Sequence, residues 1–128
     1  MSERMLRECR ILVVEDEYLV ADELASELGE AGAVVLGPVA TVGAAMDLIE
    51  AEPRIDGAVL DVNLGGAMIF PAADLLLARR VPFVFATGYD ASSIPFRFGH
   101  IPRCEKPVDM RMVARTIEQA VQAHRQAG

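Results

Sequence analysis

Short apolar runs rich in Val, Ile and Phe alternate along this chain with segments whose apolar residues recur every three or four positions. Ile11-Leu12-Val13-Val14 is the first such run, and it ends at Glu15-Asp16. It does not alternate between apolar and polar residues, as expected of a strand covered on both faces in a parallel sheet. Val20, Ala21, Leu24, Ala25 and Leu28 then share one face of a helix that Gly29 and Gly32 close. Ala33 to Leu36 predicts a second strand, broken by Gly37-Pro38. Thr41 caps a second helix with Val42, Ala45, Met46 and Ile49 on its apolar face, and Pro53 stops it.

Ile55 to Leu60 predicts the third strand, ending on Asp61 in the stretch AVLDVNLGG. Pro71 suits the first turn of the helix that follows, with Leu75 and Leu76 on its core side. Phe83 to Ala86 predicts a fourth strand, ending on Thr87. The segment GYDASSIPFRFGHIP is poor helix material, interrupted by Pro95 and Gly99, and predicts a short, irregular or mobile element. Ile101 to Glu105 predicts a short fifth strand, ending on Lys106. Asp109 caps a last helix with Met110, Val113, Ile117 and Val121 at helical spacing. Five strand–helix repeats without a linker predict one α/β domain over residues 1–128. Its parallel sheet has helices on both faces and right-handed crossovers. The flavodoxin-like doubly wound five-stranded sheet, in strand order 2-1-3-4-5, fits the length.

Composition narrows the function. Twelve Lys and Arg against 19 Asp and Glu give a formal charge of −7. That excludes a general nucleic-acid binder and a partner for anionic membranes, both of which require a basic face. Cys9 and Cys104 are too far apart in sequence for a CxxC or a zinc site, and they read as reduced core thiols rather than a redox pair. The N-terminus lacks a signal-peptide pattern, and no run approaches the ~20 apolar residues that span a bilayer. The expectation is a cytoplasmic protein.

In a doubly wound sheet, ligands bind beyond the carboxyl ends of the strands. Glu15, Asp16, Asp61, Thr87 and Lys106 all stand at such ends. Alone, the acidic pair reads as a helix cap, Asp61 as a turn residue, Thr87 as a turn or cap and Lys106 as a surface charge. Together they form one rim. Carboxylates about 4 Å apart repel by ~1 kcal/mol in water and ~4 kcal/mol at an effective dielectric of 20. An all-oxygen ligand set without His or Cys favours Mg²⁺ to relieve that repulsion. A carboxylate can attack phosphorus to form an aspartyl phosphate, whose oxygens then need a metal, a hydroxyl and a cation. Asp16, Thr87 and Lys106 supply that set around Asp61.

The stretches ILVVEDE, VLDVNLGG, FATGYD and EKPVD, in that order and spacing, resemble the receiver domain of bacterial two-component response regulators over essentially the whole chain. The resemblance implies that Asp61 is the phosphoacceptor and that Glu15 and Asp16 organise Mg²⁺, with the Asn63 backbone carbonyl completing the metal shell. It makes Thr87 the switch hydroxyl and Lys106 the lysine that pairs with the phosphoryl group, and it implies a cis peptide bond before Pro107. It also implies a single-domain regulator without an output domain. Such a protein is phosphorylated by a sensor histidine kinase or histidine phosphotransfer protein, and either binds a downstream protein target or drains phosphate. Ordinary receivers carry an aromatic switch residue three positions before the lysine, where this chain has Arg103. FATG resembles a receiver subgroup with a Phe-Ala-Thr-Gly signature, whose members are often stand-alone receivers linked to stress signalling.

Three other readings compete. An aspartate-nucleophile phosphatase of the haloacid dehalogenase type requires a second acid two residues after the nucleophile, and Asn63 stands there. A nucleotide-binding module requires a GxGxxG after the first strand or a GxxxxGK[ST], and neither is present. A receiver-like binding module that signals without phosphate is the remaining alternative, kept open by Arg103.

Overall fold

Arg10 and the four apolar residues after it form β1 (Arg10–Val14), in which Ile11 to Val14 are all buried. The computed structural model describes residues 5–88 and 92–127. Helix α1 (Tyr18–Glu30) buries Ala21, Leu24 and Leu28, and Gly32, at φ +101°, turns the chain into β2 (Val34–Val39). The Thr41 hydroxyl accepts the Ala44 amide at 3.1 Å at the head of α2 (Val42–Ala51). Strand β3 (Gly57–Asp61) is buried throughout. A small hairpin of β4 (Asn63–Leu64) and β5 (Ala67–Met68) leads to α3 (Phe70–Ala78), which carries Pro71 in its first turn. Strand β6 (Phe83–Thr87), a 3-10 turn at Phe96–Phe98, β7 (Arg103–Glu105) and α4 (Met110–Ala127) complete the described chain. The Asp109 carboxylate accepts the Arg111 and Met112 amides at 3.0 and 3.4 Å at the head of α4.

The main sheet is parallel, in the order β2-β1-β3-β6-β7. With the hairpin set aside, this is the doubly wound 2-1-3-4-5 order. Side chains alternate across it and feed two cores. Leu12, Val14, Leu60 and Phe85 pack with Ala45 and Ile49 of α2 and Ala72, Ala73 and Leu76 of α3. Ile11, Val13, Val59 and Val84 pack on the opposite face with Leu24 and Leu28 of α1 and Val113, Ile117 and Val121 of α4. Gly57 permits close approach there. A Cβ at this position would lie 3.0 Å from Val121 Cγ2 and 3.2 Å from the Cδ1 atoms of Ile11 and Ile117.

Two expectations are corrected. The second strand runs through the cis Gly37-Pro38 bond to Val39 instead of stopping at Leu36, because an irregularity between Leu12 and Val14 lets Val14 pair with Val39. As an edge strand, β2 tolerates a proline that donates no hydrogen bond. The repeat also holds four α-helices among the described residues rather than five, since the fourth crossover carries the 3-10 turn. Tyr89, Asp90 and Ala91 of that poor-helix segment lie outside the described residues. The loop after Asp61 forms the β4–β5 hairpin, on which the hydrophobic pattern is silent.

The 3-10 turn is held by one aromatic ring. Phe98 is fully buried, 5.6 Å from the ring centroids of both Phe70 and Phe85, whereas Phe96 is fully exposed. Arg97 meets Asp74 of α3 through two hydrogen bonds of 2.9 Å. Exposed pairs of this kind contribute roughly 1 kcal/mol or less, so the ring is the anchor. Phe98→Ala is expected to cost about 3–5 kcal/mol in urea denaturation, and Arg97→Ala much less.

Candidate functional site

The strand order reverses between β1 and β3, and their carboxyl ends carry the acidic residues. Glu15, directly after β1, is 4% exposed and Asp61, the last residue of β3, is 3% exposed. Parallel pairing of β6 with β3 and of β7 with β6 brings Thr87 and Lys106 to the same end. The Lys106 amide donates to the Thr87 carbonyl at 2.7 Å, which fixes these two positions side by side.

Lys106 Nζ lies 2.8 Å from Asp61 Oδ2 and 3.8 Å from Glu15 Oε1. The Asn63 amide donates to Asp61 Oδ1 at 3.3 Å, and the Glu17 amide donates to Glu15 Oε2 at 3.0 Å. Carboxylate oxygens of Glu15, Asp16 and Asp61 lie within 4.8 Å of one another. Thr87 is 1% exposed, and its hydroxyl has no hydrogen-bond partner among the described residues. A cavity of about 390 Å³ opens over Asp16, Asp61, Asn63 and Lys106, with Gly65 and Gly66 on its wall. These two glycines take φ +63° and +99°. That left-handed turn is closed by the Asn63 side-chain oxygen, which accepts the Gly66 amide at 2.6 Å.

Burial dominates the electrostatics of the acids. Burial pushes Glu15 up to about 7, the Glu17 amide opposes the shift, and the nearby Asp61 charge adds to it. Burial likewise raises Asp61 above the usual carboxylate range, although Lys106 pulls the other way. Burial lowers Lys106, but its hydrogen bond and charge contact with Asp61, helped by Glu15, leave it raised. The single ammonium is closer to Asp61, so the proton favoured by this crowded pair rests on Glu15.

The residues expected at one rim are therefore brought together: Glu15, Asp16, Asp61, Asn63, Thr87 and Lys106. The peptide bond before Pro107 is cis. Arg103 is exposed on the edge strand β7 and does not line this cavity. Sequence reasoning missed the Glu17 amide on Glu15 and the Asn63–Gly66 contact. An Asn three residues before a glycine was the available signal for the second. The residues fit a hard divalent cation: three carboxylates cluster within 4.8 Å, two of them buried with raised proton affinity, and no His or Cys among the described residues joins them.

The parallel 2-1-3-4-5 sheet with acids at its switch point defines a doubly wound, flavodoxin-like α/β domain. No protein-family model matches the chain, and no curated protein matches it. Solved structures do. SdrG from Sphingomonas melonis Fr1 is 41% identical at a TM-score of 0.76, over 90% of this chain and 97% of that one. SdrG from Pseudomonas melonis Fr1 in its BeF3-activated conformation is 40% identical at 0.69, over 95% and 98%. A CheY-like response regulator receiver domain protein from Methanospirillum hungatei JF-1 is 24% identical at 0.82, over 94% and 99%, and adds support for the fold. The chain belongs to the response regulator receiver domains of two-component systems. No helix among its described residues is long and apolar enough to cross a membrane.

Because the folded state raises Glu15 above its unfolded value, the protonated carboxyl favours folding. That stability is fully present below the unfolded pKa and is lost as pH rises through about 7. The metal-free protein is expected to lose on the order of a few kcal/mol between about pH 5 and pH 8 by this route, measured by urea midpoints. Asp61→Asn relieves the repulsion among three crowded carboxylates and the desolvation of one of them, and is expected to stabilise the metal-free protein at pH 8 by about 1 kcal/mol.

Proposed function

We propose that this receiver domain is a phosphorylation switch in which Asp61 accepts a phosphoryl group. The observation that carries the reading is the Asp61 carboxylate, buried and held 2.8 Å from Lys106 Nζ, with the Thr87 hydroxyl, which has no partner among the described residues, on the neighbouring strand end. Glu15, Asp16, Asp61 and the Asn63 backbone carbonyl would hold Mg²⁺. The ion would supply positive charge to these carboxylates and to the transferred oxygens.

The donor is a phosphohistidine of a sensor histidine kinase or histidine phosphotransfer protein. One Asp61 oxygen forms the new P–O bond while the P–N bond breaks, and its electron pair remains on the imidazole nitrogen. Lys106 neutralises an oxygen of the incoming group, and the Thr87 hydroxyl gains an acceptor that the described residues do not provide. BeF3 is a tetrahedral mimic of a phosphoryl group, and SdrG, at 40% identity, has a BeF3-activated conformation, which supports the same chemistry here. Asn63, two residues after Asp61, provides no carboxyl to act as general acid or base, which favours a held phosphate over rapid turnover. The signal then passes by protein–protein contact to a downstream target, or the domain serves as a phosphate sink.

With acetyl phosphate and Mg²⁺, mass spectrometry should show the gain of one phosphoryl group, abolished by Asp61→Asn and suppressed by EDTA. An unmodified protein with both acetyl phosphate and a cognate kinase would leave the phosphate-independent binding module as the reading. Thr87→Ala is expected to keep phosphoryl incorporation. It should also lose most of the phosphorylation-induced amide shift change over residues 104–108 in NMR spectra. Unchanged shifts in that variant would remove Thr87 from the switch.

A further inference from the structure

A second cavity lies at the opposite pole, beyond the amino ends of the strands. It holds about 370 Å³ between the turn after α3, the segment before β7 and the last turns of α4. Val81, Ile101 and Ala120 contribute to its apolar floor, and Arg80, His100 and His124 stand at its rim. All three rim residues are exposed.

The charge pattern is unusual for this chain. The protein carries a formal charge of −7, yet no carboxylate among the described residues lines this groove. The ionisable side chains that line it among the described residues are Arg80, His100 and His124. The arginines nearby are otherwise engaged: Arg79 donates to the Ile49, Glu52 and Pro53 carbonyls, and Arg125 contacts the Cys9 sulfur. Arg80 is different, since no hydrogen bond or ion pair engages its side chain among the described residues. It also sits at φ +59°, a left-handed position where glycine is favoured and a long side chain costs about 1 kcal/mol. The fold thus tolerates an arginine at an unfavourable backbone position, and its place is on the groove rim.

We propose that this groove docks an acidic segment of a partner protein, with an apolar side chain on the floor and flanking carboxylates against Arg80, His100 and His124. Its open rim suits a chain segment more than an enclosed small molecule, which would be largely surrounded by its site. Binding there leaves the Asp61 cavity free, so the two sites can be occupied together.

The test titrates the full chain, labelled with ¹⁵N, with a short blocked peptide in which Asp or Glu alternates with Leu or Phe. Amide shifts should move at Val81, Ile101, Ala120 and His124, and should weaken as salt rises. The same peptide with Asn and Gln in place of its acids should bind at least about tenfold more weakly. The Arg80→Gln, His124→Gln variant, whose substitutions are both at exposed positions, should show a comparable loss while keeping a wild-type spectrum elsewhere. Equal binding of the two peptides, shifts centred on Asp61, or no shifts at all would overturn the proposal.

Discussion

Three carboxylates held at the end of an apolar sheet are the constraint around which the rest of this domain is arranged. Glu15 and Asp61 are almost fully buried, and the described residues offer them one nearby ammonium. An ion pair so placed does not repay its desolvation unless further hydrogen bonds satisfy it. Main-chain amides of Glu17 and Asn63 provide part of that satisfaction. The remaining imbalance appears as raised proton affinity on both acids. A site left electrostatically incomplete in this way has an unmet demand for positive charge, which a divalent cation would answer.

The sheet makes that crowding possible. Residues far apart in sequence reach one rim because every long strand runs the same way, with helices covering both faces. Two cores grip the central strands from opposite sides, so the strand ends are well fixed even though the loops carrying the chemistry are short. Gly65 and Gly66 allow the loop after Asp61 to fold back over the acids, and a side chain at Gly65 would come within 3.9 Å of Asp16 Oδ2.

Much of this was legible in the sequence, for identifiable reasons. The unbroken apolar runs before Glu15, Asp61 and Thr87 could only be strands buried on both faces, and that fixed the topology and thereby the rim. Thr41 and Asp109 behaved as caps because their short side chains reach nearby amides. The cis Gly37-Pro38 step was not legible, because whether a Gly-Pro pair ends a strand or continues it depends on the neighbouring strand's register. The β4–β5 hairpin was equally hidden. Each arm is two residues long, too short for any period to register. Arg103 was legible as a departure from the family pattern, and its exposed edge-strand position agrees with a side chain that does not enter the site.

The position of β3 has a further consequence. Asp61 belongs to the middle strand, laddered to β1 on one side and β6 on the other, with a packed core above and below. Its backbone is mechanical ground for the domain. A chemical event at its carboxylate would therefore be expressed through the groups that touch or border it, the Lys106 ammonium, the Thr87 hydroxyl and the hairpin loop, rather than through its own backbone. On the proposed reading, the best-anchored residue of the site would take the phosphoryl group, and the response would fall to the side chains and the loop around it.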